Sequence, residues 1–242
     1  MRGVVFTFDD DVSSHHDVVA STFEKYGLTA TFFINGSHLN MWKTVVDDNG
    51  VCYELADMSD EQIADLHTRG FEVGNHTISH LPLANKNSVV LDAFEATADK
   101  LNSLGIPQPV TVCYPGFNIP RADLVHSLRE TGYRLGRVGY SNRQLVGHYR
   151  DNNPQTWDRG PDNYYVPGEC HPFLVPCCGL FCDHFTFELF ESTLAKSPDN
   201  AYCVFGGHVF TLPHQVEKLE RICQFCSENN LNVISFRDLP VE

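Results

Sequence analysis

The feature that most constrains the fold is a repeated alternation of short, apolar, strand-like segments with longer segments of helical periodicity. Such alternation predicts a parallel sheet covered by helices, and about seven or eight strands favour a distorted (β/α) barrel of the TIM-barrel type. The predicted strands are 3–8, 29–34, 71–75, 110–114, 133–138, 202–206 and 231–236. The predicted helices are 15–26, 60–69, 88–104, 121–131, 184–195 and 213–229.

The alternation covers most of the chain, with one long interruption. With 242 residues, 42% of them hydrophobic, the sequence fits one α/β domain over residues 1–242. Residues 139–182 are dense in Asn, Pro, Gly and Tyr and lack periodicity. They predict a long irregular excursion with a short strand near 173–177, which we expect to form one wall of a cleft.

The charge and the cysteine count argue against several classes of protein. The formal charge of −14 leaves no basic face, so neither nucleic acid nor an anionic membrane surface is an expected partner. No apolar stretch approaches the roughly 20 residues that cross a bilayer, and no signal peptide is visible. The nine cysteines are an odd number, which argues against a closed disulfide framework and favours a cytoplasmic location. Nothing in the sequence indicates the oligomeric state.

Side chains able to do chemistry follow two of the predicted strands. Asp9 and Asp10 come directly after the first strand, and His76 and His80 follow the third. One carboxylate and two neutral imidazoles form a ligand set for Zn²⁺ or a similar divalent cation, with positions left for water and substrate. Asp10, His76 and His80 are therefore the candidate ligands, the two histidines being expected on one face of a helical turn. Asp9, beside them, can accept a proton from a water that the cation acidifies.

Each half of this constellation has an ordinary structural explanation when it is taken alone. Two acids after a strand are as typical of a helix cap or a turn as of a catalytic site. A His-x-x-x-His pair in a chain of twelve histidines is more often hydrogen-bonded than bound to metal. The combination of both at separate strand ends favours a metal-dependent hydrolytic centre.

These residues resemble the motifs of polysaccharide deacetylases of carbohydrate esterase family 4. Thr-Phe-Asp-Asp at 7–10 is similar to the first motif of the family, and His-Thr-Ile-Ser-His at 76–80 is similar to the second. The resemblance implies a distorted (β/α) barrel, Asp9 as the catalytic base, and Asp10, His76 and His80 as metal ligands. Similar segments extend the resemblance along most of the chain, at 27–33, 70–76 and 128–134.

The resemblance also implies roles for later residues. His208, which ends Val-Phe-Gly-Gly-His at 204–208, matches the general acid that protonates the departing amine. A histidine that merely hydrogen-bonds within the barrel is the alternative explanation of His208. Tyr114, Pro115 and Gly116 resemble the third motif and are expected to bind substrate, with a backbone N–H near Tyr114 stabilising an oxyanion.

The sequence departs from the family pattern at three places. Asp11 stands where the family usually has Gly, and Cys113 stands where the third motif has an Arg that pairs with the catalytic Asp. Arg137, at the end of another predicted strand, is a candidate substitute for that Arg. The Trp-containing fourth motif has only loose counterparts, Trp-Asp at 157–158 and Cys-His at 170–171.

The sequence therefore favours a metal-dependent hydrolase of carbon–nitrogen bonds other than peptide bonds. N-deacetylation of an N-acylated sugar or polysaccharide is the first hypothesis, with zinc as the preferred metal and cobalt, nickel or manganese as alternatives. Two alternatives are a hydrolase of small cyclic amides or imides, similar to allantoinases, and a non-catalytic barrel that binds carbohydrate.

The remaining cysteines have weaker interpretations. Cys223 and Cys226 have the spacing of a redox motif, but they fall in a helical pattern and are interpreted as ordinary helix cysteines. A second zinc site is conceivable in the irregular excursion, but the cysteine spacing there matches no zinc ribbon, so we expect none. The cysteines concerned are Cys170, Cys177, Cys178 and Cys182.

Overall fold

The structure is a computed structural model that describes residues 2–39, 44–46, 52–140, 164–181, 185–208 and 213–241. Its strands follow the predicted alternation with helices. They are β1 (Gly3–Asp9), β2 (Thr31–Ile34), β3 (Thr44–Val46), β4 (Cys52–Glu54), β5 (Glu72–Asn75), β6 (Thr111–Cys113), β7 (Leu135–Tyr140), β8 (Val175–Cys177), β9 (Gly179–Phe181), β10 (Tyr202–Gly207) and β11 (Asn232–Val233).

The main sheet is parallel and curls into a half-barrel. Its strand order is β8-β7-β6-β5-β2-β1-β10-β9, with β11 paired to the start of β1. Each pairing along this path is parallel, and β8 lies against β10, which curves the sheet. The predicted distorted (β/α) barrel is therefore confirmed. Because the strands all run in one direction, their carboxyl ends share one edge, where such folds place their chemistry.

The helices cover the outside of the sheet, and their bounds agree with the predicted ones to within a few residues. The capping box that begins α2 is present, because Ser59 and Gln62 each accept a hydrogen bond from the backbone N–H of the other. A π-helical turn, His15–Ala20, precedes the first α-helix. The helices are α1 (Ser21–Lys25), α2 (Asp60–Thr68), α3 (Asn87–Ser103), α4 (Ala122–Glu130), α5 (Phe187–Lys196) and α6 (Pro213–Glu228).

Three parts of the strand prediction differ from the structure. Strand β9 (Gly179–Phe181) falls in the segment that was predicted to be irregular. The segment predicted as a strand over 231–236 pairs only over Asn232–Val233, because the chain then turns inward to bury Phe236. The antiparallel pair β3–β4 was not predicted, since strands of three residues are too short to show a period of two. Of the irregular excursion, residues 141–163 and 182 lie outside the described residues.

The alternation of side chains along β1 separates the core from the site. Phe6 and Phe8 point toward the helices and pack edge-on against Phe23, with ring centroids 5.2 and 5.8 Å away. Thr7 and Asp9 point to the opposite face, inside the barrel, because successive side chains of a strand alternate. Every residue of β1 is buried, so Asp9 reaches the carboxyl edge without contact with bulk water.

No helix in the part of the chain described above is long and apolar enough to span a bilayer.

His15 is a buried polar side chain in the apolar layer between sheet and helices. Its ring is fully buried and lies 5.7 Å from the ring of Phe8 and 6.0 Å from that of Phe32, centroid to centroid. Neither ring nitrogen has a hydrogen-bond partner among the described residues. Burial lowers the pKa of His15 to about 3, so the imidazole stays neutral in the folded protein.

We expect replacement of His15 by Phe to reduce the loss of stability on acidification. The unfolded imidazole titrates near pH 6.5, so below that pH the unfolded chain binds a proton that the folded chain does not bind. The free energy of unfolding of the native protein then falls by up to about 1.4 kcal/mol per pH unit from this group. Urea unfolding gives the free energy of unfolding of His15→Phe minus that of the native protein. This difference should be about 1–2 kcal/mol larger at pH 5 than at pH 7.

The exposed His126, replaced in the same way, serves as the control for loss of a histidine at the surface. An equal stability difference for His15→Phe at the two pH values would contradict the expected neutral state.

Candidate active site

The carboxyl edge of the sheet brings together residues from four strands. Asp9 ends β1 and Cys113 ends β6, while His76 directly follows β5 and His208 directly follows β10. Asp9, Cys113 and His76 are buried. The positions that the sequence placed at separate strand ends therefore converge on one site.

Asp10 lies at the centre of this group. Its Oδ1 is 3.3 Å from Nε2 of His76 and 3.7 Å from Nε2 of His80, and its Oδ2 is 2.7 Å from Nε2 of His208. The side chain of Asp10 is 2% exposed, whereas those of His80 and His208 are 25% and 20% exposed. The site is therefore closed on the side of the sheet and open on the side of these two histidines.

His76 and His80 converge through a turn and not through the predicted helical turn. Thr77 and His80 have positive φ angles of 62° and 48°, which no α-helix contains. Asn75 causes the turn, since its side-chain oxygen accepts a hydrogen bond from the backbone N–H of Thr77 at 2.9 Å. The backbone N–H of His80 then donates to the carbonyl of Thr77, which brings the second imidazole back over the first. The two rings meet edge to face, 5.0 Å apart.

Asp11 anchors the turn that presents Asp10. Both residues have positive φ angles, 75° for Asp10 and 53° for Asp11. Gly adopts this conformation without strain, which explains why a Gly would suit the position of Asp11. The carboxylate of Asp11 accepts the backbone N–H groups of Asn35 and Gly36, at 2.8 and 2.5 Å. Asp11 therefore ties the loop after β1 to the loop after β2.

Asn35 links the two loops of the site and was missed by the sequence analysis. Its side-chain N–H groups donate to the backbone carbonyls of His76 and Thr77, at 2.9 and 2.8 Å, while its own backbone N–H donates to Asp11. The partners are far from Asn35 in sequence, so no local pattern could have indicated this role. The loop after β1 and the loop after β5 are thus held in one register.

The donor set fits a divalent cation. The Nδ1 atom of His76 lies 2.8 Å from the backbone carbonyl of Cys113, which can only accept, so Nδ1 carries a proton. When the imidazole is neutral, Nε2 therefore carries a lone pair, which faces Oδ1 of Asp10 at 3.3 Å. Two acceptors so close together repel each other unless a cation lies between them. One ligand atom each from Asp10, His76 and His80 lies within 4.8 Å of the others.

The electrostatics of the group agree with a strongly polar, buried site. Burial raises the pKa of Asp10, but its interactions with the imidazoles of His208 and His76 outweigh burial and hold the pKa well below its usual range. Burial lowers the pKa of His76, but its interactions with Cys113 and Asp10 raise it well above the usual value. Burial, followed by the charge of His76, lowers the pKa of His80. Asp10 is thus ionised throughout the physiological range, as a metal ligand must be.

Arg137 replaces the arginine that the third motif lacks. Its guanidinium Nη2 forms an ion pair with Oδ2 of Asp9, and both side chains are buried, at 0% and 2% exposure. The same Nη2 lies 2.7 Å from Sγ of Cys113, the residue that occupies the family position. Arg137 lies on β7, which pairs with β6 and places Arg137 opposite Cys113. The positive charge beside Asp9 is therefore supplied by the strand next to the one that carries the third motif.

The interior of the barrel is shaped around this guanidinium. A Cβ atom added at Gly206 of β10 would collide with Nη1 of Arg137, so only Gly leaves enough space there. The ring of Phe33 lies under the guanidinium, with its centroid 5.7 Å from Cζ. Burial lowers the pKa of Arg137, but the charge of Asp9 outweighs it and raises the pKa above its usual value, so Arg137 is always charged.

The structure buries Tyr114, one of the three residues expected to bind substrate. The side chain of Tyr114 is fully buried in the core beside Gly136, and its backbone N–H donates to the carbonyl of Arg137 at 3.2 Å. Neither the ring nor the N–H of Tyr114 is therefore available to a substrate. Pro115 and Gly116 follow in a short 3₁₀ turn, in which Gly116 is exposed and has a φ of 66°.

Of the loose candidates for the fourth motif, Cys170 and His171 are described by the structure and contact their own loop. Cys170 contacts the backbone of Tyr164 and Val166, and Nδ1 of His171 accepts the backbone N–H of Phe173 at 3.1 Å. Both side chains therefore stabilise their own loop. Trp157 and Asp158 lie outside the described residues, as do Cys182 and His184.

The fold is similar to solved structures of family 4 carbohydrate esterases. The esterase from Streptomyces lividans in complex with acetate has a TM-score of 0.58 and 14% identity, over 96% of this chain and 90% of that one. The Bc1960 peptidoglycan N-acetylglucosamine deacetylase has a TM-score of 0.63 and 14% identity, over 98% and 87%. An acetyl xylan esterase from Clostridium thermocellum, in complex with a cobalt ion, has a TM-score of 0.57 and 16% identity, over 98% and 89%. At such identities the likeness shows the shared fold.

Sequence comparison identifies the family. Residues 1–136 match the family model described as polysaccharide deacetylase, which is more than half of the chain. The chain therefore belongs to the polysaccharide deacetylase family, whose carbohydrate esterase members are metal-dependent hydrolases. The protein YxkH of Bacillus subtilis (strain 168), whose name assigns it provisionally to polysaccharide deacetylases, is 23% identical over 133 residues. The match covers 55% of this chain and 43% of that relative, so the chain spans less than half of the length of YxkH.

We expect the loss of Arg137 to destabilise the fold by leaving a buried carboxylate unpaired. Arg137→Met should lower the free energy of unfolding by about 3–5 kcal/mol, as removal of one partner of a buried ion pair does. In Asp9→Asn/Arg137→Met the unpaired charge is absent, so the double variant should lose less than the sum of the two single variants. Denaturant unfolding of the three variants measures this coupling.

The exposed Arg134, three residues before Arg137, provides the matched control, because Arg134→Met should change stability by no more than about 0.5 kcal/mol. Strict additivity of the effects at Asp9 and Arg137 would show that the ion pair has no energetic role.

Proposed function

We propose that this chain is a metal-dependent N-deacetylase that cleaves the amide of an N-acylated sugar or polysaccharide. The observation that supports this most directly is the pair of carboxylates at the end of β1. One of them, Asp9, faces Arg137, and the next, Asp10, faces two imidazoles that complete a metal-ligand set. A base next to a cation site is the arrangement that hydrolysis of an unactivated amide needs. We take residues 1–242 as one catalytic domain.

Asp9 acts as the general base. Arg137 holds its Oδ2, which fixes the orientation of the carboxylate. Its Oδ1 is buried and has no hydrogen-bond partner among the described residues, so this oxygen is open to accept a proton. A base with one oxygen clamped and the other available holds a nucleophilic water in a defined position, which lowers the entropy cost of attack.

Asp10, His76 and His80 hold the cation, for which zinc is our first choice because of the two imidazole ligands. When bound, a divalent cation supplies Lewis acidity, which polarises the acyl carbonyl and acidifies water. The cavity wall behind the ligands is buried, so the acyl group approaches from the side on which His80 and His208 are exposed.

His208 acts as the general acid. Its Nε2 lies 2.7 Å from Oδ2 of Asp10, on the other side of that carboxylate from His76 and His80, and its side chain is accessible. The contact with Asp10 keeps the imidazole of His208 oriented. His208 then delivers a proton to the amine nitrogen, so that acetate and the free amine separate.

A backbone amide completes the stabilisation of the developing oxyanion. Because the N–H of Tyr114 is engaged with Arg137 and Pro115 has no N–H, the next amide along the chain is that of Gly116. As the second residue of a 3₁₀ turn, Gly116 has no partner for its N–H within the turn. We assign this N–H, in place of the one at Tyr114, to the oxyanion.

We expect replacement of the base and replacement of the ligands to separate turnover from metal binding. Asp9→Asn should retain bound zinc and lose about 10²–10⁴-fold in rate, because only proton transfer is removed. His76→Ala/His80→Ala should lose both zinc and turnover, because one carboxylate alone does not hold the ion. Metal content after dialysis and acetate release from N-acetylglucosamine oligomers give the two readouts.

The matched control is His67→Ala/His126→Ala, which removes two histidines from α2 and α4, away from the site, and should retain zinc and rate. Stoichiometric zinc in His76→Ala/His80→Ala would refute the ligand assignment, and loss of zinc in Asp9→Asn would refute the division of roles between the two acids.

The substrate class has a separate test. With zinc bound, the native chain should release acetate from N-acetylglucosamine oligomers and leave a cyclic amide such as allantoin unopened. Ring opening of allantoin without acetate release would replace the deacetylase by a cyclic amidase. Binding of the oligomers without hydrolysis of either compound would leave only a carbohydrate-binding barrel.

A further inference from the structure

The β2 loop, residues 35–37, contacts both loops that carry ligands of the proposed metal site. It follows Ile34, the last residue of β2. In the sheet β2 lies between β1, which precedes Asp10, and β5, which precedes His76. The β2 loop is therefore placed between the loop of the carboxylate ligand and the loop of the imidazole ligands, although it supplies no ligand itself.

On the side of β1, the β2 loop binds the carboxylate of Asp11. Oδ1 accepts the backbone N–H of Asn35 at 2.8 Å, and Oδ2 accepts that of Gly36 at 2.5 Å. Asp11 and Asn35 are almost completely buried, at 2% and 1% exposure, so water does not compete for these bonds. Because Asp11 directly follows the ligand Asp10, the two bonds fix the backbone that carries this ligand.

On the side of β5, the same loop binds three consecutive carbonyl groups. The side-chain N–H groups of Asn35 donate to the carbonyls of His76 and Thr77, at 2.9 and 2.8 Å. The hydroxyl group of Ser37 donates to the carbonyl of Ile78. These carbonyls belong to the turn that joins the two imidazole ligands, so the β2 loop fixes the backbone of that turn.

The two turns that the β2 loop binds have an unfavourable backbone conformation. Asp10, Asp11, Thr77 and His80 all have positive φ angles, between 48° and 75°. Left-handed backbone is unfavourable for residues other than Gly, and it persists only where the surrounding structure holds it. The bonds from the β2 loop to Asp11 and to the three carbonyl groups supply this support, and they thereby hold the ligand atoms close together.

We propose that Asp11 and Asn35 are positioning residues that preorganise the cation site. They form one continuous connection between the backbone of Asp10 and the backbone of His76. A ligand set that is already in place binds a cation more tightly, because less ordering is required on binding. The inference rests on the proposed function, since it takes Asp10, His76 and His80 as the ligands of a divalent cation.

The test is the affinity of the full chain for zinc, measured by competition with a chromogenic chelator. Asn35→Ala removes the connection to the turn after β5, and Asp11→Gly removes the connection to the turn after β1 without adding strain at a positive φ. Each variant should weaken zinc binding by about 10–100-fold, as loss of groups that orient metal ligands does. Because either change breaks the same connection, Asp11→Gly/Asn35→Ala should bind zinc about as weakly as the weaker-binding single variant.

A shape-conserving variant and a spectrum extend the test. Asp11→Asn keeps one acceptor oxygen and tolerates a positive φ, so it should fold and bind zinc with an affinity between those of the native chain and Asp11→Gly. Cobalt bound in place of zinc absorbs visible light in a way that depends on the geometry of its ligands. The cobalt spectrum should therefore change in Asn35→Ala and Asp11→Gly. Neither readout depends on deacetylase activity.

Thr111→Val is the matched control. Thr111 is fully buried and donates a hydrogen bond to Glu72 at 2.6 Å, at the amino end of β6 and so at the edge of the sheet opposite the site. Loss of this bond should lower the stability to urea and leave the zinc affinity and the cobalt spectrum unchanged.

The outcomes separate the inference from the proposed function. Native zinc affinity in Asn35→Ala and Asp11→Gly would overturn the inference and leave the proposed function intact. Losses of affinity that add in the double variant, or an equal loss in Thr111→Val, would overturn the inference in the same way. A native chain that binds no zinc would overturn the proposed function as well.

Discussion

The site depends on the position of one buried carboxylate. Asp10 follows β1 in a left-handed turn, and its two oxygens face His76 and His80 on one side and His208 on the other. A carboxylate that is almost removed from water is costly unless positive or hydrogen-bonding groups surround it. The parallel sheet supplies those groups, because it brings the ends of β1, β5 and β10 to one edge. The bond from Asn35 to Asp11 then keeps the loops in register.

The second constraint is the positive charge inside the barrel. In this chain it comes from Arg137 on β7, while the adjacent position on β6 holds Cys113. Gly206 leaves the room that the guanidinium needs. A buried ion pair does not by itself make a fold more stable than apolar packing would. Its role here is geometric, since it holds one oxygen of Asp9 and leaves the other without a hydrogen-bond partner among the described residues.

The sequence was informative wherever a pattern was local or periodic. The alternation of segments predicted the sheet and its helices, and the motifs at 7–10 and 76–80 predicted which residues would meet. Arg137 was recognised as a substitute because it ends a predicted strand. The turn at Thr77 and the role of Asn35 were not predictable, because they depend on hydrogen bonds between loops that are distant in sequence. The burial of Tyr114 also escaped prediction, since an aromatic residue at a strand end suits a core as well as a cleft.

The most direct test of the account is the position of the metal itself. Crystals grown with one equivalent of zinc, measured at the zinc absorption edge, should give one strong anomalous peak between Oδ1 of Asp10 and the Nε2 atoms of His76 and His80, about 2.0–2.2 Å from each. Absence of a peak there in crystals that contain stoichiometric zinc, with the ion bound at the cysteines of the excursion or at the surface, would contradict the account.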